Sequence, residues 1–366
     1  MNKIRVGVLF GGQSAEHEVS VHSALSVIKN LDKNKYDCFP IGIDKKGSWH
    51  FFDPSQFLLN VKNEPLAVVE KEGIYPLISS EMGKVNHFFS PCQLKQSLDL
   101  LFPILHGPYG EDGTIQGVAR LANLPFVGSD ILSSAVCMDK SMMKIILQQA
   151  GLPIPSYMCL SQHELINHQE ILKKFRLPLF IKPANLGSSI GVNKANNEDE
   201  LIRYIKEAFQ FDERILIEEF IPGREIECAV LGNHHPIASE PGEVIPQHEF
   251  YSYEAKYLDE QGAVFDLPAK LSLSQKKEIQ ELAIQAFKAL YCEGMARVDF
   301  FLRNDGKVFV NEVNTIPGFT TISLYPKLWE ISGIPYPQLL DRLVDLSIER
   351  FERKKRLKID FRGCFI

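Results

Sequence analysis

The sequence has no hydrophobic run long enough to form a membrane-spanning helix among its 366 residues. Its first apolar stretch, IRVGVLF, is short and is followed by Gly-Gly and the charged AEHE, so we expect no signal peptide. An excess of positive charge is also missing, because the formal net charge is -6. We therefore expect neither a membrane nor a nucleic acid among the partners of this chain.

Cysteine is scarce and follows no pattern. The seven cysteines are scattered, odd in number and contain no C-x-x-C pair. This spacing disfavours a zinc site and suits a reducing compartment. We therefore predict a cytoplasmic location.

The N-terminal part alternates strand and helix patterns. With 45% hydrophobic and 23% charged residues, the chain is typical of a globular protein of two or three domains. The strand IRVGVLF, a helical stretch from SAEHEVS onward and the strand YDCFPIGID predict a doubly wound parallel sheet in an α/β domain that spans residues 1–130. Within the polar residues 44–96, KKGSWHFFD and EMGKVNHFF resemble the arms of a hairpin.

Two further units follow. A helix over MDKSMMKIILQQAG (138–151), strand LPLFIKP, the Gly-rich loop ANLGSSIG, a helix over 197–210 and strand RILIEEF predict a central domain at 131–220. The third domain, 221–366, begins with IPGREIECAVLG and ends in amphipathic helices after Tyr336, so that we expect an α+β arrangement there.

A hairpin in the third domain carries acids where a buried strand should carry valines. The segment is GMARVDFFLRNDGKVFVNEVNTIPGFT, residues 294–320. A two-residue type I′ turn at Asp305 and Gly306 would place Asn304 opposite Lys307. The same register places Asp299 opposite Glu312, and Arg297 opposite Asn314.

This pairing predicts two carboxylates side by side with an amide next to them. Opposed like charges destabilise a bare sheet, whereas Mg²⁺ binds carboxylate and amide oxygens together with substrate phosphates. A solvent-facing hairpin is an equally acceptable interpretation of the acids alone. A pair of acids for glycoside hydrolysis is less satisfactory, because Arg297 and Asn314 would have no role in it.

The Gly-rich loop FIKPANLGSSIGV favours a phosphate site. Lys182 ends a strand, and the loop that follows offers backbone N–H groups around Gly187. The segment is neither a P-loop nor G-x-G-x-x-G, and by itself it is most simply a turn. Together with Lys182 and the hairpin, it indicates a nucleoside triphosphate.

At this point the residues resemble those of a known family, the D-alanine:D-alanine ligases of the ATP-grasp superfamily. The resemblance covers nearly the whole chain and is carried by GGQSAEHEVS, LHGPYGEDGTIQG, MDK, FIKPANLGSSIGV, EEFIPGREIECAVLG, YEAKY, MARVDFFL and NEVNTIPGFT. It implies a three-domain ATP-grasp architecture in which the last two domains hold ATP.

The resemblance also implies the nucleotide and metal sites. It assigns ATP binding to Lys140, Lys182, Ser188, Ser189, Glu218, Glu219, Ile221, Glu225 and Lys256. Two Mg²⁺ or Mn²⁺ ions would be held by Asp299, Glu312 and Asn314. Glu219 departs from the Lys or Gln expected in many relatives, but a contact through its backbone tolerates the change.

Substrate-binding and catalytic residues are implied in the same way. Glu16 would receive the ammonium of the first D-alanine and, with Ser188 and Tyr257, close a lid at about 247–262. His106 would lie near the first D-alanine. Arg297 and the Gly318 N–H would polarise the acyl carbonyl, and Ser323 with Leu324 would hold the second carboxylate. Without the resemblance, Glu16, His106 and Tyr257 are equally a helix-start acid, a strand-end polar residue and a packed aromatic.

The implied activity is the ATP-dependent joining of two D-alanines through a D-alanyl phosphate, which supplies peptidoglycan precursor synthesis. A homodimer is expected for this family. Two alternatives stay open: a related ligase that adds D-lactate or D-serine, and a nucleotide-binding regulator without chemistry. The intact set of Lys182, Arg297, Asp299, Glu312 and Asn314 argues against the regulator.

Overall fold

The computed structural model describes residues 3–53, 57, 75–78, 91–165, 167–246 and 263–358. The helices in these ranges are α1 His17–Asn30, α2 Pro91–Ser97, α3 Thr114–Leu121, α4 Ile131–Met138, α5 Lys140–Gln149, α6 His168–Lys174, α7 Glu198–Ala208, α8 Leu273–Ala289, α9 Leu324–Ile331 and α10 Tyr336–Lys355. The strands are β1 Ile4–Gly11, β2 Tyr36–Ile43, β3 Trp49–Phe51, β4 Tyr75–Ile78, β5 Leu100–Pro103, β6 Tyr157–Ser161, β7 Leu179–Pro183, β8 Asn193–Ala195, β9 Arg214–Glu219, β10 Gly223–Gly232, β11 Ile237–Ala238, β12 Gly242–Pro246, β13 Ala263–Asp266, β14 Gly294–Arg303 and β15 Val308–Asn314.

The N-terminal sheet has the strand order β4-β3-β2-β1-β5. Strand β1 is parallel to both of its neighbours, β2 and β5, while β3 and β4 form an antiparallel edge. Helices cover both faces: α1 and α10 pack with Val6 and Val8, and α2 and α3 pack with Leu9 and Ile41. The doubly wound prediction is confirmed for the parallel strands. Of the two predicted hairpin arms, KKGSWHFFD contains β3, and EMGKVNHFF lies outside the described residues.

The central sheet, β6-β9-β7-β8, is antiparallel and packs against α6 and α7. The helix that leads into it begins at Lys140, two residues later than predicted. Asp139 causes this start, because its carboxylate caps the helix by accepting from the backbone N–H of Ser141 at 3.0 Å and of Met142 at 3.1 Å. Lys140 therefore stands in the first turn of α5.

The C-terminal sheet, β13-β12-β10-β14-β15, is also antiparallel, with β11 paired to β10. Along β14 the residues alternate between buried and half-buried positions. Val298 and Phe300 belong to a core cluster with Ile279 and Phe287 of α8. The opposite face of the hairpin, which carries Asp299, is therefore left to line a cleft.

The hairpin register is confirmed at the acids and wrong at the turn. Asp299 pairs with Glu312 and Arg297 with Asn314, as predicted. Near the turn, however, the Arg303 N–H donates to Lys307 O at 2.8 Å, so the loop has three residues instead of two. Gly306, with φ of +88°, closes that loop.

A β-bulge reconciles the two halves of the hairpin. Phe300 pairs with Val310 and Asp299 with Glu312, which leaves Asn311 as an extra residue on β15. The one-residue shift at the turn and the one-residue bulge cancel, so the acids keep their predicted partners.

The C-terminal helix α10 returns to the first domain. Arg350 is 4% exposed and donates to Phe126 O at 2.6 Å and to Gly128 O. No helix in the described ranges is long and apolar enough to cross a membrane. The domain limits near residues 130 and 220 stay a prediction.

Candidate functional site

The site consists of two adjoining clefts. The first is lined by the candidate residues Glu16, His106, Ser188, Glu225, Arg297, Asp299, Glu312, Asn314, Gly318, Ser323 and Leu324. The second is lined by Lys140, Lys182, Ser188, Ser189, Glu218, Glu219, Ile221, Glu225 and Glu312. Every candidate within the described residues thus lines a cleft, whereas Lys256, Tyr257 and the 247–262 segment lie outside them. The candidate roles of these residues remain predictions.

Three carboxylates form a row across three strands. Glu227 on β10 pairs with Asp299 on β14, which pairs with Glu312 on β15. Sequence analysis identified only the last two. The missed signal is that Glu227 lies two residues after Glu225, and therefore on the same face of β10.

Arg297 lies between two of these carboxylates. Its Nε and Nη2 donate to the two oxygens of Asp299, each at 2.7 Å, and Nε lies 2.9 Å from Glu227 Oε2. Burial lowers the pKa of Arg297, but the Asp299 and Glu227 carboxylates outweigh it and raise that pKa well above its usual value. The guanidinium stays charged and oriented toward the first cleft.

The donor set at the hairpin fits a hard divalent cation. The candidate site consists of the carboxylates of Asp299 and Glu312 and the amide of Asn314. Within the described ranges no group of three or more His, Cys, Asp or Glu side chains is placed to hold a metal. Asn314 Nδ2 donates to Asp299 Oδ2 at 3.0 Å. A cation held here would bind the amide oxygen instead, so the Asn314 amide would have to turn to accept it.

The Gly-rich loop adopts a backbone conformation typical of functional sites. Ser188 and Ser189 have φ values of +52° and +59°, in the left-handed region that favours glycine. The Ser188 hydroxyl donates to Glu16 Oε1, which brings together two members of the implied trio. A side chain at Gly187 would place its Cβ 3.2 Å from Glu16 Oε2. The loop is therefore seated closely on the N-terminal domain.

A second charged cluster lies in the second cleft. Lys182 Nζ donates to Glu218 Oε2 at 2.7 Å and to Oδ1 of the bulged residue Asn311 at 3.4 Å. Burial lowers the pKa of Lys182, but Glu218 outweighs it, so the net shift is upward. Lys140 Nζ donates to Leu186 O and lies 4.0 Å from Glu312 Oε2. Two ammonium groups therefore lie beside the Gly-rich loop.

The other oxygen of Glu218 faces a lysine that sequence analysis missed. Lys144 Nζ lies 3.0 Å from Glu218 Oε1, and the two side chains are 1% and 2% exposed. The atoms are not aligned for a hydrogen bond, so this contact is a charge pair. Burial raises the pKa of Glu218, but the two lysines lower it by more, so the net pKa is about 2.

His106 is a buried, oriented side chain. Its Nδ1 lies 3.0 Å from Ile316 O, and its Nε2 lies 3.3 Å from the Ser23 hydroxyl. Burial lowers the pKa of His106 below its usual value. The neutral ring therefore donates from Nδ1 to the carbonyl and accepts from Ser23 at Nε2.

Glu111 is a further acid, half-buried between the first domain and the hairpin strand end, that was not predicted from the sequence. Its carboxylate accepts from the Gly107 N–H at 2.8 Å and from the Ile316 N–H at 3.2 Å. Burial, followed by repulsion from Glu16, raises the pKa of Glu111 to about 8. Glu111 therefore holds a proton at neutral pH beside the proposed ammonium site.

The raised pKa of Glu111 predicts a pH dependence of stability. The ordinary pKa of glutamate is 4.5, and that of Glu111 in the folded protein is about 8. Between these two pH values, the folded state keeps a proton that the unfolded chain has lost. The free energy of unfolding should therefore fall as pH rises through this window, by up to about 1.4 kcal/mol per unit from this group. Glu111→Gln should remove that component, as measured by denaturant unfolding at several pH values.

The matched control for this measurement is Glu278→Gln on the exposed side of α8. Only the difference in slope between variant and wild type is used, because glutamine also changes the hydrogen bonds to Gly107 and Ile316. If the Glu111→Gln and wild-type curves run parallel from pH 5 to 8, the raised pKa is wrong.

The start of α9 forms the far wall of the first cleft. Ser323 precedes the helix, and its hydroxyl accepts from the Thr320 N–H at 3.0 Å. The N–H groups at a helix start and the helix dipole favour a bound carboxylate. A Cβ on Gly318 would lie 2.7 Å from Ser323 Oγ, so the glycine permits this close packing.

Gly318→Ala is therefore expected to displace Ser323 while keeping the N–H at residue 318. The resemblance assigns Ser323 to the carboxylate of a second D-alanine, and on that assignment the loss of about one hydrogen bond predicts a KM for this substrate that rises roughly fivefold, with little change for ATP. Steady-state rates over a range of D-alanine concentrations measure it. Gly117→Ala, whose Cβ meets no atom within 4 Å, is the control. An unchanged second KM would show that Ser323 does not bind this substrate.

Comparisons with known proteins match almost the entire chain. The family model described as D-ala D-ala ligase N-terminus matches residues 5–129, and the one described as D-ala D-ala ligase C-terminus matches residues 146–345. A D-alanine--D-alanine ligase of Oceanobacillus iheyensis is 51% identical over 361 residues, which cover 97% of this chain and 98% of that protein.

Solved structures agree with the family models. The D-alanine-D-alanine ligase of Coxiella burnetii has a TM-score of 0.84 at 40% identity, with 97% of each chain covered. The VanG D-Ala:D-Ser ligase of Enterococcus faecalis has a TM-score of 0.78 at 35% identity and covers 94% of this chain and 100% of its own. A Bacillus anthracis D-alanine--D-alanine ligase complexed with ATP has a TM-score of 0.74 at 30% identity and covers 96% and 100%.

Proposed function

We propose that the two clefts of this chain carry out the two steps of the family reaction. The chain belongs to the D-alanine–D-alanine ligase family over nearly its whole length. The enzyme is an ATP-dependent carbon–nitrogen ligase of the ATP-grasp fold that joins two D-alanines for peptidoglycan precursor synthesis. ATP would occupy the second cleft and the two amino acids the first. The hairpin β14–β15 lies between the two clefts, and its residues Asn311 and Glu312 line both of them.

ATP is expected to lie along the Gly-rich loop. Lys140 and Lys182 would contact its phosphates, because both lysines line the second cleft together with Ser188 and Ser189 of the loop. Glu225 and the chain around Glu219 to Ile221 would hold adenosine. Because Glu225 lines both clefts, the ribose end would lie next to the substrate cleft.

The hairpin would hold the metal ions. Asp299, Glu312 and Asn314 supply the hard oxygen atoms that Mg²⁺ or Mn²⁺ prefers, and the bound ions would reduce repulsion between the triphosphate and a carboxylate. Arg297 now contacts Asp299 through both of its oxygens. Glu227, which also contacts Arg297, would keep the guanidinium in place when Asp299 binds a cation.

The first step is attack by a carboxylate oxygen of D-alanine on the γ-phosphorus of ATP, which forms D-alanyl phosphate and ADP. Glu16 would orient this substrate by accepting from its ammonium, with Ser188 beside it. Catalysis of such a transfer consists largely of positioning and electrostatic stabilisation. Lys182 and Lys140 provide the positive charge on the side of the leaving ADP.

The second step is attack by the amine of the second D-alanine on the acyl carbon. This substrate would be held by its carboxylate at Ser323 and Leu324. Arg297 and the Gly318 N–H line the same cleft and would stabilise the tetrahedral oxyanion. Collapse of that intermediate releases inorganic phosphate and leaves the dipeptide.

One observation carries this assignment of roles. Glu312 and the bulged residue Asn311 line both clefts, so the phosphate-binding lysines and the amino-acid site meet at the same point of β15. A nucleotide-binding regulator has no use for a second cleft that carries paired acids and a charged arginine.

The direct test is phosphate release from ATP and Mg²⁺ with D-alanine or with L-alanine, combined with mass spectrometry of the product. We expect D-alanyl-D-alanine and one phosphate per dipeptide, and no product from L-alanine. Parallel reactions with D-serine or D-lactate as the second substrate test the related ligases. A preference for either of them over D-alanine would replace the assigned acceptor.

We also propose a cytoplasmic location and a homodimeric state, which the resemblance to the family implies. Scattered cysteines without a recognisable pairing pattern support the location. Sedimentation of the purified enzyme tests the oligomeric state, and a single species near 41.5 kDa would contradict the dimer.

A further inference from the structure

The buried Lys144 has no role in the two steps above. It lies four residues after Lys140 on α5, on the helix face that is turned inward, and its side chain is 1% exposed. Its Nζ atom lies over the Tyr157 ring, 5.8 Å from the ring centre. It is not among the residues that line either cleft, so it does not touch a nucleotide there.

A buried ammonium is costly unless an opposite charge compensates it. Here the compensating group is Glu218, whose two oxygens lie 3.0 Å from Lys144 Nζ and 2.7 Å from Lys182 Nζ. Glu218 is thus shared between a lysine behind the cleft and a lysine that faces it. Burial lowers the pKa of Lys144, and the attraction of Glu218 does not fully restore it. In the state with both lysines protonated, the trio carries one net positive charge.

Without Lys144, the balance would change at the cleft. A lone Lys182–Glu218 pair has no net charge, so Glu218 would cancel the ammonium that faces the phosphates. With Lys144 present, one positive charge remains for the triphosphate. The screening length at about 0.1 M salt is about 10 Å, and buried charges are screened less, so no direct contact between Lys144 and the triphosphate is required.

We propose that Lys144 is a positioning residue that compensates Glu218 from behind the cleft, so that Lys182 presents its full charge to the ATP triphosphate. This inference rests on the proposed binding of ATP in the second cleft. It assigns Glu218 an electrostatic function in addition to its place near adenosine.

The test uses the ratio of the dissociation constant of adenosine to that of ATP, measured by titration calorimetry at one fixed Mg²⁺ concentration without D-alanine. This ratio isolates the contribution of the triphosphate, because losses at the adenosine end affect both ligands. Lys144→Met makes the trio neutral, Glu218→Gln gives it two positive charges, and the double variant returns it to one.

We expect Lys144→Met to lower the ratio about tenfold and Glu218→Gln to raise it several-fold. The double variant should come within about twofold of wild type. Lys206→Met, which removes an exposed lysine from α7, should leave the ratio unchanged. Opposite signs for the two single variants distinguish compensation of charge from a scaffolding role, in which both single variants would weaken ATP binding.

The outcomes separate this inference from the function on which it rests. If Lys144→Met does not fold, the Glu218→Gln and double variants still decide the question, because the double variant removes Lys144 together with its partner and keeps only Lys182, which faces the cleft. A ratio that falls in Glu218→Gln, or that does not change across the series, overturns the role of Lys144 while wild-type ligation stands. A wild-type enzyme that binds ATP no more tightly than adenosine overturns both.

Discussion

Replacement of Glu312 by glutamine is expected to reduce D-alanyl-D-alanine synthesis by about 100-fold or more while the protein stays folded. The reason is that Glu312 is the only one of the three proposed metal ligands that lines both clefts, and loss of a metal-binding charge removes several kcal/mol of transition-state stabilisation. Thermal stability should stay level or rise, because the change removes one of three carboxylates in a row. Product formation and the unfolding midpoint are the two measurements.

The matched control is Asp305→Asn in the turn of the same hairpin. Asp305 is 48% exposed, contacts Arg303 and lies outside both clefts. Its replacement should leave synthesis near wild type. A Glu312→Gln enzyme that turns over ATP at nearly the wild-type rate would show that the hairpin does not hold the metal ions.

Lys182→Met is expected to weaken ATP binding roughly 10- to 100-fold and to affect D-alanine much less. Lys182 contacts Glu218 and Asn311 and faces the second cleft, and a hydrogen bond to a charged group contributes about 1.5–3 kcal/mol. Calorimetric titration with ATP measures the change. Unchanged ATP binding, with Lys206→Met as the surface control, would contradict the phosphate assignment of the Gly-rich loop.

Much of the fold and the site was predictable from sequence, because the signals are local. Alternating apolar residues and the spacing of the motifs identified the parallel N-terminal strands, the Gly-rich loop and the acids of the hairpin. The hairpin shows the limit of such reasoning. The pairs at Asp299 and Arg297 were correct although the turn was not, because a bulge at Asn311 compensates a three-residue loop. Alternation of residues cannot reveal two shifts that cancel.

Buried charges were the main omission. Lys144, Glu111 and Glu227 were not predicted as site residues, because a single lysine or glutamate in a sequence is most often exposed. Only the three-dimensional arrangement shows that the charge of Lys144 is compensated by Glu218 and that Glu111 is protonated. The available hints were the four-residue spacing from Lys140 and the shared strand face of Glu225 and Glu227.

The most direct test of the account follows an oxygen atom from D-alanine to phosphate. Because a carboxylate oxygen attacks the γ-phosphorus and leaves with it, D-alanine labelled with ¹⁸O in its carboxylate should deliver one ¹⁸O atom to the phosphate released per dipeptide. Mass spectrometry of that phosphate measures the transfer. The account predicts one labelled oxygen per phosphate from D-alanine as the first substrate, and phosphate whose new oxygen comes from solvent water would contradict the acyl phosphate mechanism.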